Sequence, residues 1–97
     1  MNKQRRKDLE AIKDNLEKAK GLVENAKSDL EAVMEAEQEA LDNLPESLRD
    51  GDKGEVMEDA VSNMSMAEED LDNATDNLEA VIDYLEEAVG KIEEAQT

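Results

Sequence analysis

A heptad pattern of apolar residues runs through nearly the whole chain and limits what it can fold into. In residues 9–44, and again in 57–95, apolar side chains recur at alternating steps of three and four, with one polar exception. A 3.5-residue period kept this long is typical of α-helices packed as a coiled coil. The predicted seam consists of Leu9, Ile12, Leu16, Ala19, Val23, Ala26, Leu30, Val33, Glu37, Ala40 and Leu44 in the first half, and Met57, Ala60, Met64, Ala67, Leu71, Ala74, Leu78, Val81, Leu85, Ala88, Ile92 and Ala95 in the second.

A turn is predicted where the chain reads LPESLRDGDKGE, between the two heptad segments. Pro45 cannot donate a backbone hydrogen bond and disfavours helical geometry at the preceding residue. Gly51 and Gly54 permit the backbone dihedrals of a sharp reversal. Asp52 followed by Glu55 resembles a capping box at the start of the next helix.

We therefore predict an all-α fold, an antiparallel hairpin of two long coiled-coil helices in a single domain. The predicted ranges within domain 1–97 are a helix over about 3–43, a turn over about 44–54 and a helix over about 55–95. The residue numbers of facing seam positions would add up to about 104 or about 97. We favour about 104, which places large residues opposite alanines, as in Leu30 opposite Ala74.

One hairpin of this composition has little to bury, because 38% of the residues are hydrophobic, many are Ala, and there is no Phe or Trp. Apolar residues also widen one flank of the predicted seam. We predict that this flank pairs with a second copy to give a homodimeric four-helix bundle. The alternative is that the same residues thicken the seam of a monomer. The predicted dimer flank is Met34, Leu41, Leu48, Val61, Ile82 and Val89.

The net charge of −17 is unevenly distributed. Residues 1–27 carry eight basic and five acidic residues, whereas 28–97 carry three basic and 23 acidic ones. This balance argues against direct nucleic-acid or anionic-membrane binding and favours a basic protein as partner. Carboxylates repeat along both helices at heptad spacing and are predicted to bind that partner, with mimicry of DNA as one form of this binding. The alternative is that they only keep the protein in solution. The first acidic row is Glu10, Glu17, Glu24 and Glu31, and the second acidic row is Glu58, Asp72, Glu79, Glu86 and Glu93.

Nothing in the sequence indicates catalysis, a cofactor or a metal site. The chain has no Cys and no His, and the glycine-rich turn fails the EF-hand pattern at three positions. We therefore expect a protein that is not an enzyme and binds no cofactor. No apolar run follows the basic start and none is long enough to span a membrane, which predicts a cytoplasmic location.

The segment EQEALDNLPESLRDGDKGEVMEDAV, the later NLEAVIDYLEEAV and the opening RRKDLEAI together resemble small acidic helical proteins from phages and mobile elements of Gram-positive bacteria. These relatives are mostly of unknown function. The resemblance implies a phage context inside a bacterial host. We expect an accessory protein that binds a host protein, with inhibition of that protein as one form of its action. The alternative is a structural or scaffolding coiled-coil dimer with no inhibitory role.

Overall fold

The computed structural model describes residues 2–96, with side-chain surroundings for residues 3–95, and all regular structure in this range is helical. Helix α1 spans Asn2–Asp42, the short α2 spans Glu46–Arg49, and α3 spans Asp52–Gln96. The predicted all-α fold with two long helices is confirmed. The difference is α2, which lies inside the segment predicted as a turn.

The break between α1 and α2 follows from Pro45. Its backbone is extended, with φ −55° and ψ 145°, and α2 begins at the next residue. The Pro45 carbonyl accepts hydrogen bonds from the backbone N–H groups of Leu48 and Arg49, each at 2.9 Å. The Arg49 guanidinium donates to the carbonyl of Asp42 at 2.7 Å. Arg49 thus satisfies a backbone carbonyl at the end of α1, where a positive charge is also favourable.

The glycines of this segment do not act as predicted. No residue between 2 and 96 has positive φ, so neither Gly51 nor Gly54 is needed for left-handed geometry. Gly54 is buried. A Cβ at this position would overlap the carbonyl oxygen of Arg49 and would lie 2.7 Å from the Arg49 Cα. Close backbone approach therefore requires this glycine. Helix α3 already begins at Asp52, so Asp52 and Glu55 place negative charge in its first turn, which the helix dipole favours.

The chain divides into two compact units. Unit 1 comprises Met1–Glu24 and Asn73–Thr97, and unit 2 comprises Asn25–Asp72. In unit 1, ion pairs join Arg6 to Glu93 and Lys20 to Glu79, so residue numbers fall along α3 as they rise along α1. The two helical segments of unit 1 are therefore antiparallel.

The register differs from the one we favoured. The two residue numbers of each ion pair between α1 and α3 add up to 99, both for the three pairs of unit 1 and for Lys27 with Asp72 in unit 2. The favoured sum of about 104 is wrong by five residues, or about 7.5 Å along a helix at ~1.5 Å per residue. The alternative of about 97 lies within two residues of the observed register.

The seam is also rotated relative to the prediction. The leucine-rich columns of the predicted seam, which begin at Leu9 in α1 and at Met57 in α3 and repeat every seven residues, are half-buried throughout. The alanine-rich columns begin at Ile12 in α1 and at Ala60 in α3 with the same repeat. Most of their members are exposed, including Ala26, Val33, Ala40, Ala67 and Ala95. Ala19, Ala60, Ala74 and Ala88 are half-buried. The column that replaces them in the seam is Arg6, Lys13, Lys20, Lys27, Met34 and Leu41 in α1, and Gly54, Val61, Glu68, Thr75, Ile82 and Val89 in α3.

Candidate partner-binding surfaces

A column of four basic residues, Arg6, Lys13, Lys20 and Lys27, runs along the α1 side of the seam at seven-residue spacing. We call it the base column. In unit 1 it pairs with the second acidic row across the seam. The N–O distances are 3.7 Å for Arg6–Glu93, 3.5 Å for Lys13–Glu86 and 2.8 Å for Lys20–Glu79.

Unit 2 contains the last member of the base column. Lys27 Nζ lies 2.5 Å from Asp72 Oδ1 and 3.7 Å from Glu31 Oε1, which is on its own helix. Glu68, a half-buried seam residue, adds its negative charge nearby. One lysine thus faces three carboxylates in this unit.

The basic side chains are more covered than their acidic partners. In unit 1, Lys13 exposes 24% of its side chain and Lys20 28%, whereas Glu86 and Glu79 expose about half. Lysine and arginine have long apolar stems that pack against apolar surface while the charged head stays in water. The stems of the base column therefore form part of the seam and cover one side of its apolar residues.

Both central lysines hold their protons more tightly than usual. The hydrogen bond to Glu79 raises the pKa of Lys20 above 10.5, with a further contribution from the charges of Glu79, Glu24 and Glu17, and partial burial opposes the shift. The hydrogen bond to Asp72 raises the pKa of Lys27 in the same way. These lysines therefore remain charged across the physiological pH range.

The predicted acidic rows have different surroundings. In the second acidic row, Asp72, Glu79, Glu86 and Glu93 are paired with the base column, so their charge is largely compensated within the chain. Glu58, the remaining member, is exposed in unit 2. In the first acidic row, Glu10, Glu17 and Glu24 of unit 1 are exposed, and Glu31 lies beside Lys27 in unit 2.

A groove opens in unit 2 just beyond the end of the base column. Where the heptad would place the next base, α1 has Met34, and the groove of about 650 Å³ lies between Met34 and Val61. Its remaining lining is polar and mostly acidic: Glu31, Glu35, Gln38, Glu39, Asp42 and Ser65. The groove therefore combines an apolar floor with a carboxylate rim.

Charge is concentrated in the same unit. Residues 25–72 contain three basic and sixteen acidic residues, for a net charge of −13, whereas the rest of the chain contains eight basic and twelve acidic residues, for −4. Unit 2 therefore carries most of the net charge of −17.

Most residues of the predicted dimer flank are buried or half-buried within the single chain. Leu41 in unit 2 and Ile82 in unit 1 expose only 5% and 7%, the lowest values among the described apolar residues. Met34, Val61 and Val89 are half-buried, and Leu48, on α2, is 46% exposed. Within each unit, this burial corresponds to the alternative in which the flank residues thicken the seam of a single chain.

The base column is the feature of these surfaces that the apolar pattern did not predict. Its signal was present, because bases at 6, 13, 20 and 27 are mirrored by acids at 93, 86, 79 and 72 in reverse order. Mirrored opposite charges at heptad spacing indicate antiparallel pairing. An apolar-only search overlooks them because it counts lysine and arginine as surface residues.

Among the described residues, no group of three or more carboxylates is arranged to hold a metal ion. Within the same range, no helix is both long and apolar enough to cross a membrane. No family model, curated protein or solved structure matches this chain.

Proposed function

We propose that this chain is a non-enzymatic accessory protein of a phage or mobile element that binds a basic host protein through its acidic helical surface. The supporting observation is the concentration of charge in unit 2, which has a net charge of −13 and a groove with an apolar floor and a carboxylate rim. Lysine and arginine side chains fit such a groove, because their stems are apolar and their heads are cationic.

We propose unit 2 as the binding surface because the members of the second acidic row in unit 1 are already paired with bases. Replacing Glu79, Glu86 and Glu93 would remove the ion-pair partners of the three unit 1 members of the base column and would test stability rather than partner binding. The groove carboxylates Glu35 and Glu39 have no such role, since they are exposed and lie outside the seam.

The pairing of the second acidic row also bears on DNA mimicry. A DNA mimic needs a dense ladder of uncompensated negative charge, comparable to about one charge per ~1.7 Å of duplex axis. Since bases neutralise much of that row in unit 1, we propose recognition of basic side chains by unit 2 in preference to occupation of an extended DNA-binding groove.

The test compares two triple variants that remove the same charge. The groove variant is Glu35→Gln with Glu39→Gln and Asp42→Asn. The control, Asp76→Asn with Asp83→Asn and Glu87→Gln, neutralises acids in unit 1. Proteins captured from host lysate at 50 and 300 mM salt are identified, and their affinities are then measured with the purified partner by calorimetry.

We expect a basic partner that binds the wild type and the control alike, and about tenfold more weakly in the groove variant and at high salt, since screening weakens charge attraction. Equal affinity for both variants, or binding indifferent to salt, would contradict the proposal.

A second candidate is a structural coiled-coil dimer with no inhibitory role. The leucine columns favour it, because they are half-buried rather than buried in the single chain. Dimer formation with no partner captured at either salt concentration is the outcome that selects this function.

A further inference from the structure

The leucine columns of unit 1 are covered on one side only. Leu9 and Leu16 of α1 and Leu78 and Leu85 of α3 are all half-buried. The base column and its ion pairs cover one side of these columns. The opposite side is left to the residues of the alanine-rich columns.

Helix geometry fixes which residues those are. On a helix with 100° per residue, Ile12 and Lys13 project about 50° to either side of the Leu9–Leu16 column. On α3, Val81 and Glu86 likewise project to opposite sides of the Leu78–Leu85 column. Because Lys13 pairs with Glu86, Ile12 and Val81 fall together on the far side of the pair.

We call this surface the alanine face of unit 1, and its main members are Ile12, Ala19, Leu22, Val81, Tyr84 and Ala88. The large apolar side chains on it are well exposed: Ile12 49%, Leu22 70%, Val81 43% and Tyr84 72%. These are all of the exposed large apolar residues in the described part of unit 1. Apolar exposure in this unit is therefore gathered on one face.

The same face carries little charge. The charged residues at its helical positions are Arg5, Asp8 and Lys91, for a net charge of +1, although unit 1 as a whole has −4. Two chains of charge −17 repel each other over most of their surfaces, and like charges brought together across an interface are costly. A second copy therefore meets the least repulsion here.

The exposed area leaves room for such a contact. The chain exposes 6926 Å², whereas a compact monomer of 10.8 kDa exposes about 5,500 Å² by the usual scaling. A standard interface buries about 800 Å² on each partner. Small alanines allow two helices to approach closely, so that the large residues pack around them.

We infer that the alanine face of unit 1 is the surface through which two copies of this chain associate, with the base column and acidic rows left on the outside. This inference goes beyond the proposed function and does not depend on it, since it concerns a different face and a different partner. It also replaces the predicted dimer flank as the contact between copies.

Sedimentation equilibrium between 5 and 200 μM tests the inference. The test variant is Ile12→Glu with Val81→Glu. The control is Ala11→Glu with Ala80→Glu, which adds the same two charges one residue away, on exposed positions outside the face. We expect the apparent mass of the wild type and the control to rise from about one chain mass at 5 μM towards two chain masses at 200 μM, and the test variant to stay at the mass of one chain with unchanged helical circular dichroism.

A wild type that stays monomeric at 200 μM, or a dimer that the test variant leaves intact, would overturn the inference. Tyr84 provides a second measurement that needs no variant, because it is the only aromatic residue and is 72% exposed in the single chain. Its quenching by acrylamide should fall at least twofold between 5 and 200 μM, and constant quenching would count against the face.

Salt separates this inference from the proposed function. Raising salt from 50 to 500 mM should leave self-association equal or stronger, because the copies carry like charge, whereas it should weaken binding of a basic partner. Self-association that weakens with salt would show an ionic contact and would reject the alanine face.

Discussion

Alanine in place of Gly54 should destabilise the fold, whereas alanine in place of Gly21 or Gly90 should stabilise it, although all three glycines lie in α-helices. At Gly54 a Cβ would overlap the Arg49 carbonyl oxygen and lie 2.5 Å from the carbonyl carbon, so the backbone of the turn must move. Overpacking of this kind costs about 1–3 kcal/mol. The better helix propensity of alanine returns up to about 1 kcal/mol. Because the clash is with backbone atoms, which cannot rotate away as a side chain can, the cost falls at the upper end of that range, and we expect Gly54→Ala to destabilise the fold by about 2 kcal/mol.

At Gly21 and Gly90 nothing lies within 4 Å of the position that a Cβ would occupy. Alanine there gains helix propensity without a clash, and we expect each substitution to stabilise the fold by about 0.5–1 kcal/mol. For a domain of this size, 1 kcal/mol shifts the melting temperature by roughly 4–8 °C.

Thermal unfolding followed by circular dichroism at 222 nm, at one fixed protein concentration, gives the sign for each variant. Gly54→Ala should melt below the wild type, and the other two should melt above it. A Gly54→Ala protein that melts as high as Gly21→Ala would refute the close approach of Gly54 to Arg49.

Two further substitution sets probe the interior and the base column. Leu41→Ala should lower the free energy of unfolding, measured in urea, by about 2–4 kcal/mol, because Leu41 is 5% exposed. Leu48→Ala should lower it by about 0.5 kcal/mol or less, because Leu48 is 46% exposed. Equal losses for the two variants would place Leu41 outside the core. The second set concerns Lys20 and Lys27, whose pKa values are raised because the folded state binds their protons more tightly than the unfolded state does. Their contribution to stability is therefore complete below about pH 10.5 and is lost as the pH rises through the pKa of the folded state. The urea midpoint of the wild type should therefore stay constant from pH 7 to 9.5 and fall above pH 10.5. In a variant with Lys20→Arg and Lys27→Arg it should fall less, since arginine stays charged. Identical alkaline profiles for the wild type and this variant would show that these ion pairs do not contribute to stability.

The long helices were predictable because heptad spacing extends over most of the chain, and Pro45 marks the end of α1 at the sequence level. The short α2 was not predictable, since four residues give no periodic signal. The need for Gly54 also lies outside the local sequence, because it arises from the approach of Arg49 in the folded turn.

The rotation of the seam could not be read from apolarity alone. Ala and Lys compete for the second seam column in α1, and apolarity favours Ala. The structure places Lys13 and Lys20 there, because a long stem buries more methylene surface than a methyl group does and its head reaches a carboxylate on α3. The compensation of the second acidic row in unit 1 depends on this pairing, and an apolar pattern does not reveal it.

Disulfide trapping tests the seam between α1 and α3 most directly, since the chain has no cysteine of its own. Val23 and Thr75 are half-buried seam residues of unit 1 whose numbers add up to about 98, next to the register of the ion pairs. Val81 lies six residues further along α3, about 9 Å away at ~1.5 Å per residue and beyond the ~7 Å limit for bridged Cα atoms. Val23→Cys with Thr75→Cys should form an intrachain disulfide under mild oxidation, and Val23→Cys with Val81→Cys should not. Efficient bridging of the second pair and not the first would contradict both the register and the rotated seam.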